Sequence, residues 1–537
     1  MKILVIGAGP SGLCTAKELL DYDHDVTVVE ASTSVGGVFA HSYQGLRLVN
    51  NNMLIAFSSY FEGLSVSDLS MWSAEKYVDY LIKYAKKFDV FSRISFSTRV
   101  LQVVKKSSNW AVIIDKDGDV SHQEYDYVVV CTGVHSTPDV HILPKQNQFM
   151  GKVIHGDDVK DPNKFKDKNV IIVGTGEYGA DLSYLIGKCA KSMTVSVRRW
   201  PSYVIPRYHD NKATDLDTSR LHHSLPKDLM DSKLKGLLKL KRKIEFGMIK
   251  SPEDRAIQKT ADKLNLQCSG AGALQRTTSK TENLARAIIE LGVEMKPAIK
   301  EVKENSVLFT DGTEIDCDYI ITCTGYKSTF PFIERSIQSK AKNIRGMAHY
   351  MFPQGEKGIA FVGFIRPGVG SIPPMAEMQA RYLALVVSGV KQLPTRDEMK
   401  SIVHKQQERD FKTFRFDAER LTGLTSYLDF MSDISVEVGC NPRLFPMIFT
   451  SPRLYYKVMS AFLCTAQFRL YGPGANKEEA ARIIKSLPTV HPKVLAIEWA
   501  LFIAIIPIKM YSRIKEIFNK ESKEIMVFSN ASDAGSK

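Results

Sequence analysis

The sequence is poor in the features that announce a disulfide scaffold, a metal centre or a membrane span. Its eight cysteines (Cys14, Cys131, Cys189, Cys268, Cys317, Cys323, Cys440 and Cys464) are scattered over 537 residues with no C-x-x-C pair. That spacing offers neither a zinc ribbon nor a vicinal redox pair, and it favours reduced thiols in a cytosolic compartment. No Ser-His-Asp arrangement and no metal-ligand set stands out. Nucleic-acid motifs are missing too, so nucleic acid is the weakest explanation of the +13 net charge. Phosphate-rich ligands or an anionic membrane surface explain it better. The apolar run from Val494 to Ile508 has 15 residues, with Glu498 and Pro507 inside it. A spanning helix needs about 20. The N-terminus enters a strand directly, so no cleavable signal peptide is expected.

What is there begins at once. Lys2 to Leu13 reads as a buried strand, a glycine-rich turn and a helix start, with the glycines at Gly7, Gly9 and Gly12. Gly7 and Gly9 let the backbone turn tightly and approach a phosphate, and Gly12 lets the helix pack on the strand. Pro10 and Ser11 lie within the turn, and the helix N-terminus offers N–H groups to a pyrophosphate. The second strand, Val26 to Val29, ends in Glu30, a carboxylate placed to accept from ribose hydroxyls.

The pattern recurs. Asn169 to Ala180 is a second strand, turn and helix, with Gly174, Gly176 and Gly179 at the same spacing. Its next strand, Met193 to Val197, ends in Arg198-Arg199. A carboxylate suits a free ribose 2′-OH, whereas arginines accommodate a 2′-phosphate. The first unit therefore suits FAD or NAD(H), and the second NADP(H).

Between and after these units the signals are weaker. Gly36-Gly37-Val38 suggests a further close approach to the first nucleotide. Asn50-Asn51-Asn52 reads as a turn, or as an amide projected into a site. Residues 73–88 have a helical pattern with Ser73 as N-cap, and 94–104 and 109–115 read as strands. Asp126 to Gly133 and Asp318 to Gly325 echo each other: each is an Asp-Tyr strand that stops at Cys-Thr-Gly. Residues 207–281 carry little periodicity. Within them Lys233 to Lys250 holds seven basic residues and one acid among leucines, which suits a membrane-surface helix or the solvated face of a packed one. A helix from Ala376 carries Gln379 and Arg381, and 390–490 is helix-like. The basic residues that follow Val494–Ile508 suit a tail that dips into a membrane and stays cytosolic.

These features resemble the flavin-containing monooxygenases of the animal microsomal, dimethylaniline N-oxide-forming type, over about residues 1–490. Gly7-Ala8-Gly9-Pro10-Ser11-Gly12 resembles the family's FAD motif, Phe149-x-Gly151-x-x-x-His155 its linking fingerprint, and Gly174-x-Gly176-x-x-Gly179 its NADPH motif. Thr324-Gly325-Tyr326 and Gln467-Phe468-Arg469-Leu470-Tyr471-Gly472-Pro473-Gly474 resemble two later signatures. Glu177-Tyr178 departs from the family, which carries Asn with Ser or Thr there. A carboxylate beside a pyrophosphate repels it unless it points away. Phe39 replaces a tryptophan, and Val159-Lys160 sits nearer the heteroatom oxygenases than the Baeyer–Villiger branch.

The resemblance implies an α/β fold of two Rossmann-like dinucleotide-binding domains, with a helical C-terminal region and a hydrophobic tail. The expected divisions are 1–160 and 301–390 for FAD, 161–300 for NADPH with an insertion at about 207–281, 391–490 helical, and 491–537 membrane-associated. It implies FAD on Gly7, Gly9, Pro10, Ser11, Gly12, Glu30, Gly37 and Val38. NADPH falls to Gly174, Gly176, Glu177, Tyr178, Gly179, Arg198 and Arg199, with Thr324, Gly325 and Gln379 completing the cofactor contacts. Asn50 is the expected catalytic residue, supporting a C4a-(hydro)peroxyflavin that oxygenates a small amine or sulfide with O₂. His155 either couples the domains or is structural. The implied setting is the cytosolic face of the endoplasmic reticulum membrane, with no nucleic-acid partner and room for a homo-oligomer. The alternatives are a Baeyer–Villiger-type enzyme and a flavoprotein binding module that uses NADPH weakly.

Overall fold

The structure, a computed structural model, describes residues 1–199, 202–225, 235–268, 272–414, 417–419 and 421–507. Two five-stranded parallel sheets organise it. In the first the order is Ile359–Phe361, Tyr127–Val130, Lys2–Ile6, Asp25–Val29, Ile94–Ser95. In the second it is Glu294–Lys296, Ser192–Ser196, Asn169–Val173, Tyr319–Thr322, Lys152–His155. The central strands are apolar on both faces, as parallel strands covered by helices must be.

The echo in the sequence is a repeat in three dimensions. Each Asp-Tyr strand lies beside the opening strand of its own unit. Asp126 accepts the Lys2 N–H through Oδ2 at 2.7 Å, and Asp318 accepts the Asn169 N–H at 2.7 Å. Each Asp-Tyr strand is also preceded by a three-stranded antiparallel meander: Thr98–Lys105, Trp110–Lys116 and Asp119–Tyr125 in one, Ile299–Val302, Ser306–Phe309 and Glu314–Asp316 in the other. The strand Asp119–Tyr125 was not legible in the sequence; it is polar and mostly solvent-facing.

This repeat moves the expected boundaries. Lys152–His155 precedes residue 160 yet pairs in the second sheet, and Tyr319–Thr322 follows residue 300 yet pairs there too. The second unit thus runs from the 150s to the 320s, and the chain rejoins the first sheet at Ile359–Phe361. The Ala74–Lys87 helix forms as expected, with Ser73 capping the Lys76 N–H.

The C-terminal segment corrects a second expectation. Residues 492–507 are helical, and Val494, Leu495, Leu501 and Ile505 are buried. They pack against Leu225, Leu237 and Leu238 on one side and Leu221 and Met459 on another. Glu498, which looked like an interruption, is fully buried and binds Lys241 Nζ at 2.9 Å and His222 Nδ1 at 3.1 Å. A buried carboxylate needs such partners, so the segment docks on the body here instead of dipping away from it. The Lys235–Met248 helix, which carries Lys241, is accordingly a packed element. No helix of the described residues is long and apolar enough to cross a membrane. The basic tail beyond 507, with the potential glycosylation acceptor Asn530-Ala531-Ser532, lies outside the described residues.

Candidate active site

One cavity of about 1300 Å³ takes in Glu177 and Tyr178, which follow the second glycine turn, and Val38 and Phe39, which follow the Gly36-Gly37 pair of the first unit. Val38, Phe39, Asn50 and Tyr77 line it from the first unit, Glu177, Tyr178 and Asp181 from the second, and Arg207 and Lys241 from the insertion. Arg366 to Pro373 and Val490, His491 and Val494 close it.

The first turn is a cradle made by absent side chains. Gly7 has φ +108°, and a Cβ there would lie 2.8 Å from the Cys131 carbonyl oxygen. Gly37, at φ +57°, would bring a Cβ 3.3 Å from the Gly9 Cα, so the second glycine pair stacks on the first turn. Glu30 accepts the N–H groups of Ala8 and Ser32, each at 2.8 Å, which fixes its carboxylate at the turn. The Pro10–Leu20 helix starts at Gly9 with no side-chain cap and no acid in its first turn. Its N–H groups and positive end are left for an anion. Two buried hydroxyls nearby lack a hydrogen-bond partner: Tyr77 Oη, in the cavity wall, and Thr132 Oγ1, beside the Gly7 turn. Uncapped helix, fixed carboxylate and orphaned hydroxyls together fit a dinucleotide.

Ser11 and Gln379 act at one remove. A Cβ on Gly363 would lie 2.0 Å from Ser11 Oγ, so that glycine lets the turn seat. Gln379 Oε1 accepts the Gly363 N–H at 3.0 Å, and its Nε2 donates to the His349 carbonyl at 3.0 Å. Fully buried and with both ends of its amide engaged, Gln379 does not line the cavity. Its amide holds the loop beside Ser11.

The second turn repeats the first. Gly174 has φ +109°, and a Cβ there would lie 2.7 Å from the Cys323 carbonyl oxygen. The Glu177–Gly187 helix starts at Gly176, again with no side-chain cap, and Gly176 faces open space. Val197 takes the place of Glu30 at the end of Ser192–Ser196, and Arg198 and Arg199 follow it, both exposed. Tyr178 packs between Tyr43 and Tyr326, with ring centroids 5.0 and 6.1 Å away.

The linking signatures are structural. His155 Nδ1 accepts the Asp157 N–H at 3.1 Å, so its Nε2 carries the hydrogen donated to the Gly325 carbonyl at 3.1 Å. A Cβ on Gly151 would meet the Asp318 carbonyl oxygen at 2.5 Å, which explains the glycine of that fingerprint. Thr324 Oγ1 donates to the Asp139 carbonyl at 2.6 Å. Its hydroxyl and the Gly325 carbonyl thus serve the protein, while the α-carbon face of Gly325 is open.

The asparagine run divides its roles. Asn51 caps a short helix by accepting from Met53 and Leu54 N–H at 3.0 Å each, and its Nδ2 donates to Asp215 at 2.9 Å. Asn52 donates to the Asp68 carbonyl at 2.7 Å. Asn50 alone of the three lines the cavity.

Three cavity residues escaped the sequence reading. His135 is exposed in the cavity wall, where the Arg366 guanidinium opposes protonation of its imidazole. Its signal was its place, two residues after a Cys-Thr-Gly strand end. Arg366 opens the Gly/Pro loop. Arg207 holds Asp181 in a two-pronged pair at 3.2 and 2.8 Å, and Tyr43 donates to the same carboxylate at 2.8 Å, joining the units. The Arg207 Nε is buried without a partner.

The late Gln-Phe-Arg signature is a clamp. Arg469 binds Glu18 of the Pro10–Leu20 helix at 3.1 Å and Glu377 of the Ile372–Val387 helix at 3.4 Å, and donates to Ser58 at 2.7 Å. Burial pushes the Glu18 carboxyl up, but Arg469 and Lys17 outweigh it and hold it low. Gln467 accepts from Arg220 Nη2 at 3.1 Å.

Comparison with known proteins agrees with this arrangement. The family model described as flavin-binding monooxygenase-like matches residues 1–495. A 4-hydroxybenzoate brominase (decarboxylating) of Pseudoalteromonas luteoviolacea (strain 2ta16) is 32% identical over 513 residues, covering 93% of this chain and 96% of its own. Flavin-containing monooxygenase 5 of Mus musculus is 30% identical over 504 residues, covering 88% and 89%. Among solved structures, the S-allyl-L-cysteine S-oxygenase of Allium sativum has a TM-score of 0.57 at 20% identity, covering 93% and 98%. An oxidized steroid monooxygenase bound to NADP scores 0.58 at 17% identity, covering 82% and 97%. The two solved structures share the fold.

Proposed function

The chain belongs to the flavin-binding monooxygenase-like family, and from that membership we propose that it uses NADPH and O₂ to oxygenate a soft nucleophilic nitrogen or sulfur of a small molecule. The observation that supports this best is the shared cavity. A single space of about 1300 Å³ is lined by Val38 and Phe39 of the first unit and by Glu177 and Tyr178 at the uncapped helix start of the second, and it is larger than the about 300–1,000 Å³ pockets that hold one drug-sized ligand.

FAD and NADP(H) are the family's cofactors, and the residues fit both. Gly7, Gly9, Pro10, Ser11, Gly12, Glu30, Gly37 and Val38 hold FAD. Gly174, Gly176, Gly179 and Tyr178 hold NADP(H), with Arg198 and Arg199 on its 2′-phosphate. When bound, FAD supplies acceptance of a hydride equivalent and activation of O₂, which no side chain performs. The chain's own groups do the rest. Glu30 accepts from ribose hydroxyls, the two helix N-termini receive the pyrophosphates, and Phe39, Tyr77 and Tyr178 wall off water. Asn50 presents the one amide of its run that reaches the cavity. His135 adds a ring nitrogen to the cavity wall. No protein nucleophile is required.

A second reading keeps the cofactors and changes the acceptor. Two relatives at 32% identity are named for bromination of 4-hydroxybenzoate with decarboxylation, so a halide is a candidate soft nucleophile for this site as well. One assay separates the readings. Aerobic protein with NADPH is given a sulfide, a tertiary amine, a cyclic ketone, or bromide with a phenol, and products are identified by mass. A sulfoxide or N-oxide supports the proposal. A lactone alone supports Baeyer–Villiger chemistry, and a bromophenol alone supports the halide reading.

A further inference from the structure

The two glycine turns differ in one charge. The first turn of the Pro10–Leu20 helix carries no acid, whereas Glu177 is the first residue of the Glu177–Gly187 helix. Its carboxyl lies in the cavity wall, and burial pushes it above the ordinary carboxylate range. A pyrophosphate at that helix N-terminus would meet this carboxylate at close quarters.

The groups that face Glu177 come from several elements. Asp181, one turn further along its own helix, repels it, and Arg207 from the insertion attracts it. These two already satisfy each other at 2.8 Å. The Lys280 backbone N–H favours the charged form of Glu177, while the Lys280 ammonium belongs to Asp215 at 3.4 Å. Arg366, from the loop after Ile359–Phe361, attracts Glu177 more than Arg207 does. Its guanidinium lines the cavity and has no hydrogen-bond or ion-pair partner among the described residues. Arg366 also opposes protonation of His135. A cation with no ion-pair partner and a carboxylate held by one backbone N–H therefore line the same cavity, the carboxylate at the helix N-terminus where a pyrophosphate would settle.

We infer that Glu177 and Arg366 form a charge switch at the second nucleotide site: the NADP(H) pyrophosphate takes over Arg366, and Glu177 takes up a proton from solvent. Nicotinamide-cofactor binding in this chain is then proton-linked. The proton balances the carboxylate charge that would otherwise face the phosphates; no bond forms or breaks apart from the O–H on Glu177. The inference rests on reading the second unit as the NADP(H) site. Uptake of one proton on binding weakens affinity by up to about tenfold for each pH unit above the titration of Glu177 in the free protein.

Calorimetric titration of the flavin-loaded protein with NADP⁺ tests it, from about pH 5.5 to about pH 8.5, in two buffers of different ionisation enthalpy. The wild type is expected to take up protons on binding, with a Kd that rises with pH. Glu177→Gln removes that uptake and binds at least about tenfold tighter near pH 8. The 2′-phosphate of NADP⁺ titrates in both proteins, so the difference between them is the readout. Arg366→Met weakens binding at every pH and lowers the proton uptake, because Glu177 without its cation is already protonated more readily in the free protein. Retained flavin absorbance shows that each variant has folded. Equal proton uptake and equal pH slopes in wild type and Glu177→Gln overturn the switch. If wild type and Glu177→Gln keep flavin yet neither binds NADP⁺ near pH 5.5, the assignment of the second unit fails first and the switch with it.

Discussion

Gly12 stands so close to Gly7 that a Cβ on it would lie 1.8 Å from the Gly7 carbonyl oxygen, and Gly179 repeats the approach to Gly174 at 2.1 Å. Both contacts are with backbone, so no side chain can move aside. Gly12→Ala is expected to displace the first helix and yield protein with at least about tenfold less bound flavin. Gly179→Ala is expected to purify with its flavin and lose NADP⁺ binding. The ratio of visible to ultraviolet absorbance, together with NADP⁺ titration, reads both.

Asn50 and Asn51 are adjacent but should fail in different ways. Asn51→Ala removes a helix cap and a partner of buried Asp215, and a loss of about 1–3 kcal/mol in denaturant unfolding is expected. Asn50→Ala should cost less than about 1 kcal/mol. Its effect should appear in turnover, where NADPH is oxidised but more of the oxygen leaves as hydrogen peroxide. Peroxide formed per NADPH consumed checks this.

Arg469 is the shared partner of Glu18 and Glu377. Arg469→Met would leave buried Glu377 without an ion-pair partner and Glu18 with Lys17 alone, with a loss of about 3 kcal/mol. Because Glu18 lies on the helix that begins at the flavin turn, flavin release should accompany unfolding in the same transition.

Glu498 sets a pH dependence. Burial opposes its charge, but His222 and Lys241 hold its carboxyl down at about 2, below the usual 4.5. A depressed carboxyl contributes stability that is complete above about pH 4.5 and is lost as pH falls through about 2. Glu498→Gln is expected to lower the thermal midpoint near neutral pH, and the gap from wild type should close toward pH 2. A constant gap would mean that the pair does not hold the 492–507 helix.

These elements show what the sequence could reveal. Gly7, Gly12, Glu30, Gly174 and Gly179 were legible because a glycine needed for close approach has a spacing, and a strand-end residue has a place. The Asp126 and Asp318 strands were legible as a repeat. The boundaries near 160 and 300 were not, because strand membership in a parallel sheet is decided by pairing between segments far apart in sequence. Glu498 misled because a carboxylate in an apolar run looks like a break until Lys241, 257 positions earlier, is seen beside it. The loop-holding role of Gln379 was hidden for the same reason: its two backbone partners come from distant loops. Arg366 left no signal, since its importance lies in having no partner of its own.

The central claim is that two nucleotide sites serve one cavity, and anaerobic addition of NADPH to the purified yellow protein tests it most directly. Bleaching of the flavin absorbance by one equivalent of NADPH, followed by its return on admitting O₂ with a sulfide oxygenated in proportion, is the predicted result. A flavin that stays yellow under excess NADPH without oxygen would contradict it.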